Sequence, residues 1–236
     1  SEEFLSGIEL SVCVLTNGKE YKILPNAKDY KRVGEGDTGL NTGGMGAVSP
    51  VPFATDELLA KIEDKIVKPT IKGIQETEMD YTGFVFIGLM ITPENEPYVI
   101  EYNVRMGDPE SEVVLPRIEN DLLALLKAST DYELEDFDLK LSNQAAATIM
   151  MVSGGYPEKH ENGKEITGWD EVQDSIVYHG GTKLQDGKVL TNGGRVMAIT
   201  SLADTYAEAV DKSYKSIEQI KFDKMYYRTD IGKDLA

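Results

Sequence analysis

The chain begins with alternating apolar and polar residues. Over 8–14 every second residue is apolar, and such alternation predicts a half-buried β-strand. The dipeptide Asn17-Gly18 favours a tight turn, and 21–24 has the composition of a returning strand. The pattern therefore predicts an antiparallel hairpin near the start of the sequence.

Helical spacing appears at three places further along the chain. After Thr55, a residue type that often caps helices, apolar residues recur at 58, 59, 62 and 66, and Pro69 should kink or divide that helix. A second helix is predicted with Asn120 as its cap and leucines at 122, 123, 125 and 126. A third is predicted with Asp204 as its cap and apolar residues at 207, 210, 214 and 217.

Short apolar runs bounded by turn residues predict further strands. These runs lie at 84–91, 98–102, 145–152 and 194–200, and a turn at 93–96 joins the first two. Because hairpins favour antiparallel pairing, the mixture of strands and helices predicts an α+β fold.

The acidic and weakly periodic stretch 130–141 predicts a linker between two domains. A chain of 236 residues has room for one large domain or two small ones, at roughly 100–200 residues per domain. We therefore expect the domains to cover 1–138 and 139–236.

Composition narrows the classes of partner. The net charge of −17 argues against non-specific binding to nucleic acid or to an anionic membrane surface, since both require a basic face. Cys13 is the single cysteine, which excludes an internal disulfide and a cysteine-rich zinc site. No apolar run reaches the roughly 20 residues of a membrane helix. These features together favour a cytoplasmic protein.

The sharpest chemical feature lies at the end of the strand predicted at 98–102. Alternation places Glu101, Asn103 and Arg105 on one face. A carboxylate and an amide oxygen suit Mg²⁺, and an arginine beside them could bind a phosphate or a developing oxyanion. The other interpretation is a strand with a polar, solvated face.

Three carboxylates follow Arg105 closely, at Asp108, Glu110 and Glu112. They could orient the arginine or bind a substrate amine. The alternative is a turn followed by a helix start, with Pro109 at the first helical position and the acids complementing the helix dipole.

A glycine-rich stretch at 39–46 could bring backbone N–H groups close to an anion. It matches neither a P-loop nor a dinucleotide-binding fingerprint. Charged residues of both signs precede it, and the alternative is a plain connector.

Four segments together resemble one enzyme family. Residues 29–46 resemble a signature of glycinamide ribonucleotide synthetase, also called phosphoribosylamine–glycine ligase, an ATP-grasp enzyme of purine synthesis. Residues 101–110 are similar to that family's metal-binding segment, and 192–196 and 227–232 are similar to stretches of its C-terminal domain. The resemblance implies a larger ATP-grasp lobe, an antiparallel sheet with helices, followed by a small α/β C-terminal domain.

The resemblance also implies a reaction. ATP would phosphorylate the carboxylate of glycine, and the amine of 5-phosphoribosylamine would displace phosphate from the glycyl phosphate. Glu101 and Asn103 would bind Mg²⁺ or Mn²⁺, and Arg105 would stabilise the charge on the transferring group.

The family likeness assigns further residues to ATP and to the substrates. Residues 2–5 resemble the hinge segment that meets adenine, and Glu9 is placed to hydrogen-bond the ribose. The remaining implied residues are Glu2, Glu3 and Leu5 for ATP, Asp108 for catalysis, and Asp29, Lys31, Arg32, Asp37, Asn41, Thr42, Gly43 and Gly44 for the glycine and phosphoribosylamine side.

The sequence departs from the family in two ways. Position 30 is a tyrosine where the family more often has histidine, which puts any role of that side chain in question. The family also has an N-terminal substrate domain and a small ATP-grasp lobe ahead of this segment. We therefore expect the chain to be the second half of the enzyme, to need the N-terminal half as a partner, and to be inactive alone.

Two rival functions stay open at this point. One is another ATP-grasp carboxylate–amine ligase or carboxylase, which would share the pattern at Glu101, Asn103 and Arg105 but not the segment 41–46. The other is a non-catalytic module that binds Mg-nucleotide or a protein partner.

Overall fold

The computed structural model describes residues 4–235 and divides them into two compact units. The first unit contains 4–28, 50–107 and 114–142. The second unit contains 29–49, 108–113 and 143–235. Both units are therefore built from separate stretches of the chain. The division into domains at 1–138 and 139–236 stays a prediction.

Strands and helices are mixed along the chain, and the predicted α+β class is confirmed. None of the helices of residues 4–235 combines the length and the apolar character that crossing a bilayer requires. The strands are β1 (Ile8–Thr16), β2 (Tyr21–Ile23), β3 (Lys28–Asp29), β4 (Arg32–Gly34), β5 (Thr38–Asn41), β6 (Gly46–Ser49), β7 (Gly83–Ile91), β8 (Pro97–Asn103), β9 (Ala145–Ser153), β10 (Ile176–His179), β11 (Thr182–Gln185), β12 (Lys188–Thr191), β13 (Arg195–Ala203) and β14 (Met225–Tyr226). The helices are α1 (Asp56–Ile62), α2 (Lys68–Glu76), α3 (Ser111–Val114), α4 (Leu122–Thr130) and α5 (Tyr206–Ile217), with a π-helical turn at Glu63–Val67 and 3₁₀ turns at Leu115–Arg117 and Lys233–Leu235.

The first unit is organised around a four-stranded sheet in the order β2-β1-β7-β8. The three pairings are antiparallel, as the predicted hairpins required. The expectation of a half-buried β1 is wrong, because 10–16 are buried on both faces. The polar positions of the alternation are filled by the small residues Ser11 and Cys13, and the backbone of Ser11 exchanges hydrogen bonds with Ala27 at 2.7 and 3.0 Å. Small, hydrogen-bonded groups can be buried at little cost.

Helix starts in the first unit follow the capping rules, with one shift. The Thr55 side chain accepts a hydrogen bond from the backbone N–H of Leu58, as predicted. The π-helical turn lies just before Pro69, which has no N–H to donate to the preceding turn. The cap of α4 is Asp121 rather than Asn120.

The side chain of Asn120 is engaged elsewhere, which explains the shift. Its amide nitrogen donates to the carbonyl of Asp138 at 3.0 Å, and its oxygen accepts from the backbone N–H of Lys140 at 2.6 Å. These long-range bonds place Asn120 outside the helix and leave the cap to its neighbour.

The expectation that 130–141 is a linker is also wrong. Leu134 is fully buried, and its backbone N–H donates to the Glu20 carboxylate at 2.8 Å. Lys22 donates to the carbonyl of Glu135 from the same hairpin. The acidic stretch is therefore packed as part of the first unit, with Leu134 as its fully buried residue.

The second unit is built on a sheet in the order β10-β13-β9-β6-β3, with β14 also paired to β9. Helix α5 packs across β9 and β13 and buries Ala209, Val210 and Ile217 in the core. Its cap is Thr205, which forms a capping box with Glu208, rather than the predicted Asp204. Thr205 has its partner three residues on, as the capping box requires.

Candidate functional site

The chemistry predicted for the first unit lies at the end of β8, an edge strand. A β-bulge interrupts the pairing of β7 with β8, because Gly88 pairs with Glu101 whereas the next residue, Leu89, pairs with Val99. Ile100 is therefore the extra residue. Bulges twist a strand locally and are frequent beside functional sites. A Cβ at Gly88 would lie 3.1 Å from Cγ of Glu101, so glycine gives this side chain room.

The structure brings Arg105 and Asn103 together. Strand β8 ends at Asn103, so strand alternation does not extend to Arg105 as the sequence suggested. The guanidinium nevertheless turns back, because its Nη2 donates to Oδ1 of Asn103 at 3.3 Å and its Nη1 donates to the carbonyl of Met106 at 2.9 Å. Two of the five N–H donors of an arginine are used in these bonds.

The donor set at the end of β8 fits a hard divalent cation. Glu101 is exposed and Asn103 is half-buried, and both follow the bulge with one residue between them. A carbonyl oxygen has two lone pairs, so Asn103 can accept from Arg105 and still ligate a metal. Within residues 4–235 no three His, Cys, Asp or Glu side chains converge as metal ligands. Mg²⁺ commonly uses few protein ligands and completes its shell with water and phosphate oxygens.

In the second unit, a buried arginine fixes the hairpin formed by β4 and β5. Arg228 is 1% exposed and donates to Asp37 and to Asp230 at 2.7 Å, and to the carbonyl of Arg32 at 3.1 Å. Its guanidinium also lies over the ring of Tyr30, 5.3 Å from the centroid. The predicted residue Asp37 is therefore held by a cation about 190 positions away in sequence.

Titration of the groups around Arg228 is shifted by their surroundings. Burial raises the pKa of Asp230, but the hydrogen bonds and charge of Arg228 outweigh it, so the pKa lies below its usual value. Burial raises the pKa of Tyr30, and the hydrogen bond that its hydroxyl donates to Asp234 at 2.6 Å raises it further. Tyr30, the position that departs from the family, is thus a buried anchor of the hairpin.

A second arginine holds the glycine-rich loop. Nη1 of Arg195 donates to the carbonyl of Gly43 at 2.8 Å and to the carbonyl of Asp108 at 2.9 Å, and it lies 3.0 Å from Oδ1 of Asp108. The N–H of Gly43 donates to the hydroxyl of Tyr156 at 2.9 Å, and the N–H of Gly44 donates to Thr42 at 2.9 Å. The loop is thereby tied to Asp108. Three residues predicted to bind substrate, Thr42, Gly43 and Gly44, lie together at this point.

We predict that Gly44→Ala destabilises the protein by about 2–4 kcal/mol, because Gly44 has a φ of +119° and a Cβ there would lie 2.3 Å from Cδ of Pro109. Urea unfolding measures this loss. The matched control is Gly36→Ala, since Gly36 also has a positive φ, +62°, but a Cβ there would meet nothing within 4 Å. We expect the control to lose about 1 kcal/mol. Equal losses of unfolding free energy in Gly44→Ala and Gly36→Ala would show that the contact with Pro109 does not add to the destabilisation.

The other predicted residues are dispersed over the two units. Glu2 and Glu3 lie outside the described residues. Leu5 is half-buried ahead of β1, and Glu9 is half-buried within β1, opposite Met90. The remaining members of the predicted substrate set line up along the segment that leads into the loop: Asp29 is buried in β3, Lys31 is half-buried, Arg32 is exposed in β4, and Asn41 is exposed at the end of β5.

Sequence reasoning assigned no role to three residues that organise the second unit, and it gave a fourth, Glu112, a role beside Arg105. Arg195 and Arg228 lie within the segments 192–196 and 227–232, so their motifs were visible but their partners were not. Tyr156 gave no signal beyond its place in a glycine-rich turn. Glu112 was grouped with acids near Arg105, whereas Asp108 of that group makes its ion pair with Arg195.

Comparisons with known proteins match both parts of the chain to one family. A family model described as phosphoribosylglycinamide synthetase, ATP-grasp (A) domain, matches residues 1–111. A second, described as phosphoribosylglycinamide synthetase, C domain, matches residues 146–234. The two matches follow each other in the order expected from the sequence.

Individual relatives agree with the family models. A phosphoribosylamine–glycine ligase from Clostridium acetobutylicum is 46% identical over 232 residues, which are 98% of this chain and 55% of that protein. A bifunctional purine biosynthetic protein from Pichia angusta is 47% identical over 233 residues, which are 98% of this chain and 30% of that protein. The chain thus spans about half the length of the curated single-function relatives that it matches.

Solved structures show the same fold. The crystal structure of a phosphoribosylamine–glycine ligase from Thermotoga maritima superposes with a TM-score of 0.87 at 35% identity, over 97% of this chain and 56% of that one. A biotin carboxylase from Campylobacter jejuni superposes with a TM-score of 0.65 at 12% identity, over 95% of this chain and 48% of that one. The second likeness concerns the fold alone.

Proposed function

This chain belongs to the phosphoribosylglycinamide synthetase family, and from that premise we propose that it forms part of an ATP-dependent ligase that joins glycine to 5-phosphoribosylamine in purine synthesis. The observation that carries the proposal is the group at the end of β8, where Arg105 is hydrogen-bonded to Asn103 beside Glu101. The proposed compartment is the cytoplasm, where the buried thiol of Cys13 stays reduced.

The proposed chemistry is phosphoryl transfer followed by acyl transfer. The carboxylate of glycine attacks the γ-phosphoryl group of ATP, which releases ADP and leaves a glycyl phosphate. The amine of phosphoribosylamine then attacks the carbonyl carbon, phosphate leaves, and the amine nitrogen loses a proton. Such reactions depend on positioning and on neutralising charge.

We assign the residues of β8 to the phosphates. Glu101 and Asn103 would hold Mg²⁺ or Mn²⁺, which supplies charge neutralisation on the phosphate oxygens when bound. Arg105 binds an equatorial oxygen of the transferring phosphoryl group, using donors beyond the two bonded to Asn103 and Met106. Leu5 and Glu9, with Glu2 and Glu3, are proposed to bind the adenosine.

We assign the second unit to the amino substrates. Asp37 and the loop at Gly43 and Gly44 are held by Arg228 and Arg195, and such tethering suits a loop that must keep one shape beside a substrate. Asp108 is proposed as the catalytic carboxylate beside that loop. The substrate-binding set is Asp29, Lys31, Arg32, Asp37, Asn41, Thr42, Gly43 and Gly44.

Because the chain spans about half of its relatives, we propose that the remaining phosphate-binding groups come from a further segment of the same protein. This chain alone is then expected to show no turnover. It should bind a nucleotide more weakly than the longer protein does.

The test is ADP release by the protein extended upstream in its own reading frame. We expect release that requires both glycine and phosphoribosylamine, that is lost in Arg105→Ala, and that is absent when this chain is assayed alone. An extended protein that folds and binds ATP but releases no ADP with these substrates would contradict glycine ligation. Release with another carboxylate would indicate a different ATP-grasp ligase, and nucleotide binding without turnover on any carboxylate a binding module.

A further inference from the structure

A cavity of about 290 Å³ opens within the second unit, against its central sheet. Its wall includes Met150 of β9, Tyr178 of β10 and Ala198 of β13, and Arg195 at the start of β13. The segment 108–113 contributes Asp108 and Glu112 to the same wall. The cavity thus joins an apolar floor to one guanidinium and two carboxyl groups, and its volume suits a small ligand.

The charges on this wall do not balance. Arg195 is committed to Asp108, since its Nη1 is within 3.0 Å of both the carbonyl and the carboxylate of that residue. Glu112 makes no ion pair within residues 4–235, and its Oε2 is buried without a hydrogen-bond partner there. When Glu112 is ionised, the cavity therefore carries one uncompensated negative charge.

The surroundings of Glu112 bring the pKa of its carboxyl group close to neutral pH. Burial raises the pKa of its carboxyl group to about 7, and the charge of Asp108 adds to this, while its own backbone N–H and Arg195 act in the opposite direction. Burial disfavours the ionised form of a carboxyl group, and a cation that also donates hydrogen bonds stabilises that form.

We propose that this cavity binds a small primary ammonium group and that Glu112 is the carboxylate that holds it. A metal ion is the poorer match, because one of the two carboxyl groups on the wall, Asp108, is already paired with Arg195. A primary ammonium group carries one positive charge and donates three hydrogen bonds, so a single ionised carboxylate can both neutralise it and accept from it. That the ammonium belongs to a substrate of the ligase rests on the proposed function; that the cavity binds one does not.

Affinity should depend on pH with a defined sign. An ammonium binds the ionised form of Glu112, which is the minor form at pH 6 and the major form at pH 8. A primary ammonium stays protonated over this range. Affinity should therefore rise about tenfold from pH 6 to pH 8, as expected for a group with a pKa of about 7.

The other groups that face Glu112 in the cavity are Asp108, Arg195, Tyr178 and His179. The pKa of Tyr178 is raised by burial first and by Glu112 second, so it stays neutral over the same range. A His179→Gln variant should keep the pH dependence, which separates the effect of Glu112 from that of the imidazole.

The experiment is a titration of this chain with methylammonium at constant ionic strength. Met150 lines the cavity, so ¹³C-methyl labelling of the 8 methionines gives a local signal, assigned with Met150→Leu. We expect saturable shifts of Met150 with methylammonium and none with acetate. Glu112→Gln should weaken binding at pH 8 at least tenfold and remove its pH dependence. Glu171→Gln, at an exposed glutamate of the same unit, should change neither.

If Glu112→Gln folds poorly, the proposal can still be tested in the unaltered chain. There the ¹³C chemical shift of the Glu112 carboxyl carbon is followed against pH. Methylammonium should lower the pKa of Glu112, because the ligand favours its charged form. Unchanged Met150 signals and an unchanged Glu112 pKa at saturating concentrations would overturn the proposal. Because no step requires ATP or turnover, failure of glycine ligation and failure of ammonium binding would be seen separately.

Discussion

Replacing Glu101 by glutamine should lower kcat for glycine-dependent ADP release by about 10²–10³-fold in the extended protein. The substitution keeps the size of the side chain and an oxygen donor but removes the charge that would hold a cation against the phosphates. Glu101 is exposed and takes no part in the core, so the variant should unfold at the same urea concentration as the unaltered protein. Steady-state kinetics over a range of Mg²⁺ concentrations measure the effect.

The matched control is Glu94→Gln, at an exposed glutamate in the turn that leads into β8. It removes the same charge from the same hairpin at a distance from the strand end, and we expect kcat to stay within about twofold. If both variants lose activity equally, the loss reflects the general acidity of this surface and not a site at Glu101.

Replacing Arg228 by methionine should lower the free energy of unfolding by about 3–5 kcal/mol. The change leaves the half-buried carboxylate of Asp230 without its cation and removes the guanidinium that holds Asp37 and the carbonyl of Arg32. The single tryptophan, Trp169, packs against the core of the second unit, so its fluorescence during urea unfolding reports on the unit that the substitution affects.

Arg32→Met is the control, because Arg32 is an exposed arginine of the same hairpin whose guanidinium bonds only the carbonyl of Gly39 among the described contacts. We expect a change within about 0.5 kcal/mol. A loss for Arg228→Met no larger than this would show that the buried ion pairs only offset their own desolvation.

The contribution of Asp230 to the free energy of unfolding should depend on pH. Its pKa in the folded protein is lowered from the ordinary value of 3.8, so the unfolded chain binds a proton first as the pH falls. The stabilisation is therefore complete above pH 3.8 and is lost as the pH drops through the lowered value. The stability gap between the unaltered protein and Asp230→Asn should close over that acidic range.

Local patterns predicted much of the fold because they depend on near neighbours. The alternation at 8–14, the cap at Thr55 and the apolar run at 145–152 each gave the element found there. The failures came from long-range partners. Asn120 is of a type that often caps helices, but its side chain bonds the backbone at 138 and 140, and Asp121 caps α4.

The candidate site was predictable to the same degree. The pair at Glu101 and Asn103 follows from strand periodicity, although the bulge at Ile100 left no trace in the sequence. The role of Arg228 could not be read from its neighbours, since its partner Asp37 is 191 positions away. Burial of a cation depends on which segments meet it, and that is a property of the whole fold.

The interleaving of the two units also constrains how the chain can be assembled and dissected. Strand β6 pairs with β3 on one side, but its other neighbour in the sheet is β9, roughly a hundred residues later, so one edge of β6 stays unpaired while the intervening chain is synthesised. Residues of the first unit emerge before and after it and can close on themselves in the meantime. A protein cut at 142 would keep every described piece of the first unit but would separate 29–49 and 108–113 from β9, β10 and β13 of the second unit. No single break in the backbone therefore yields two intact halves.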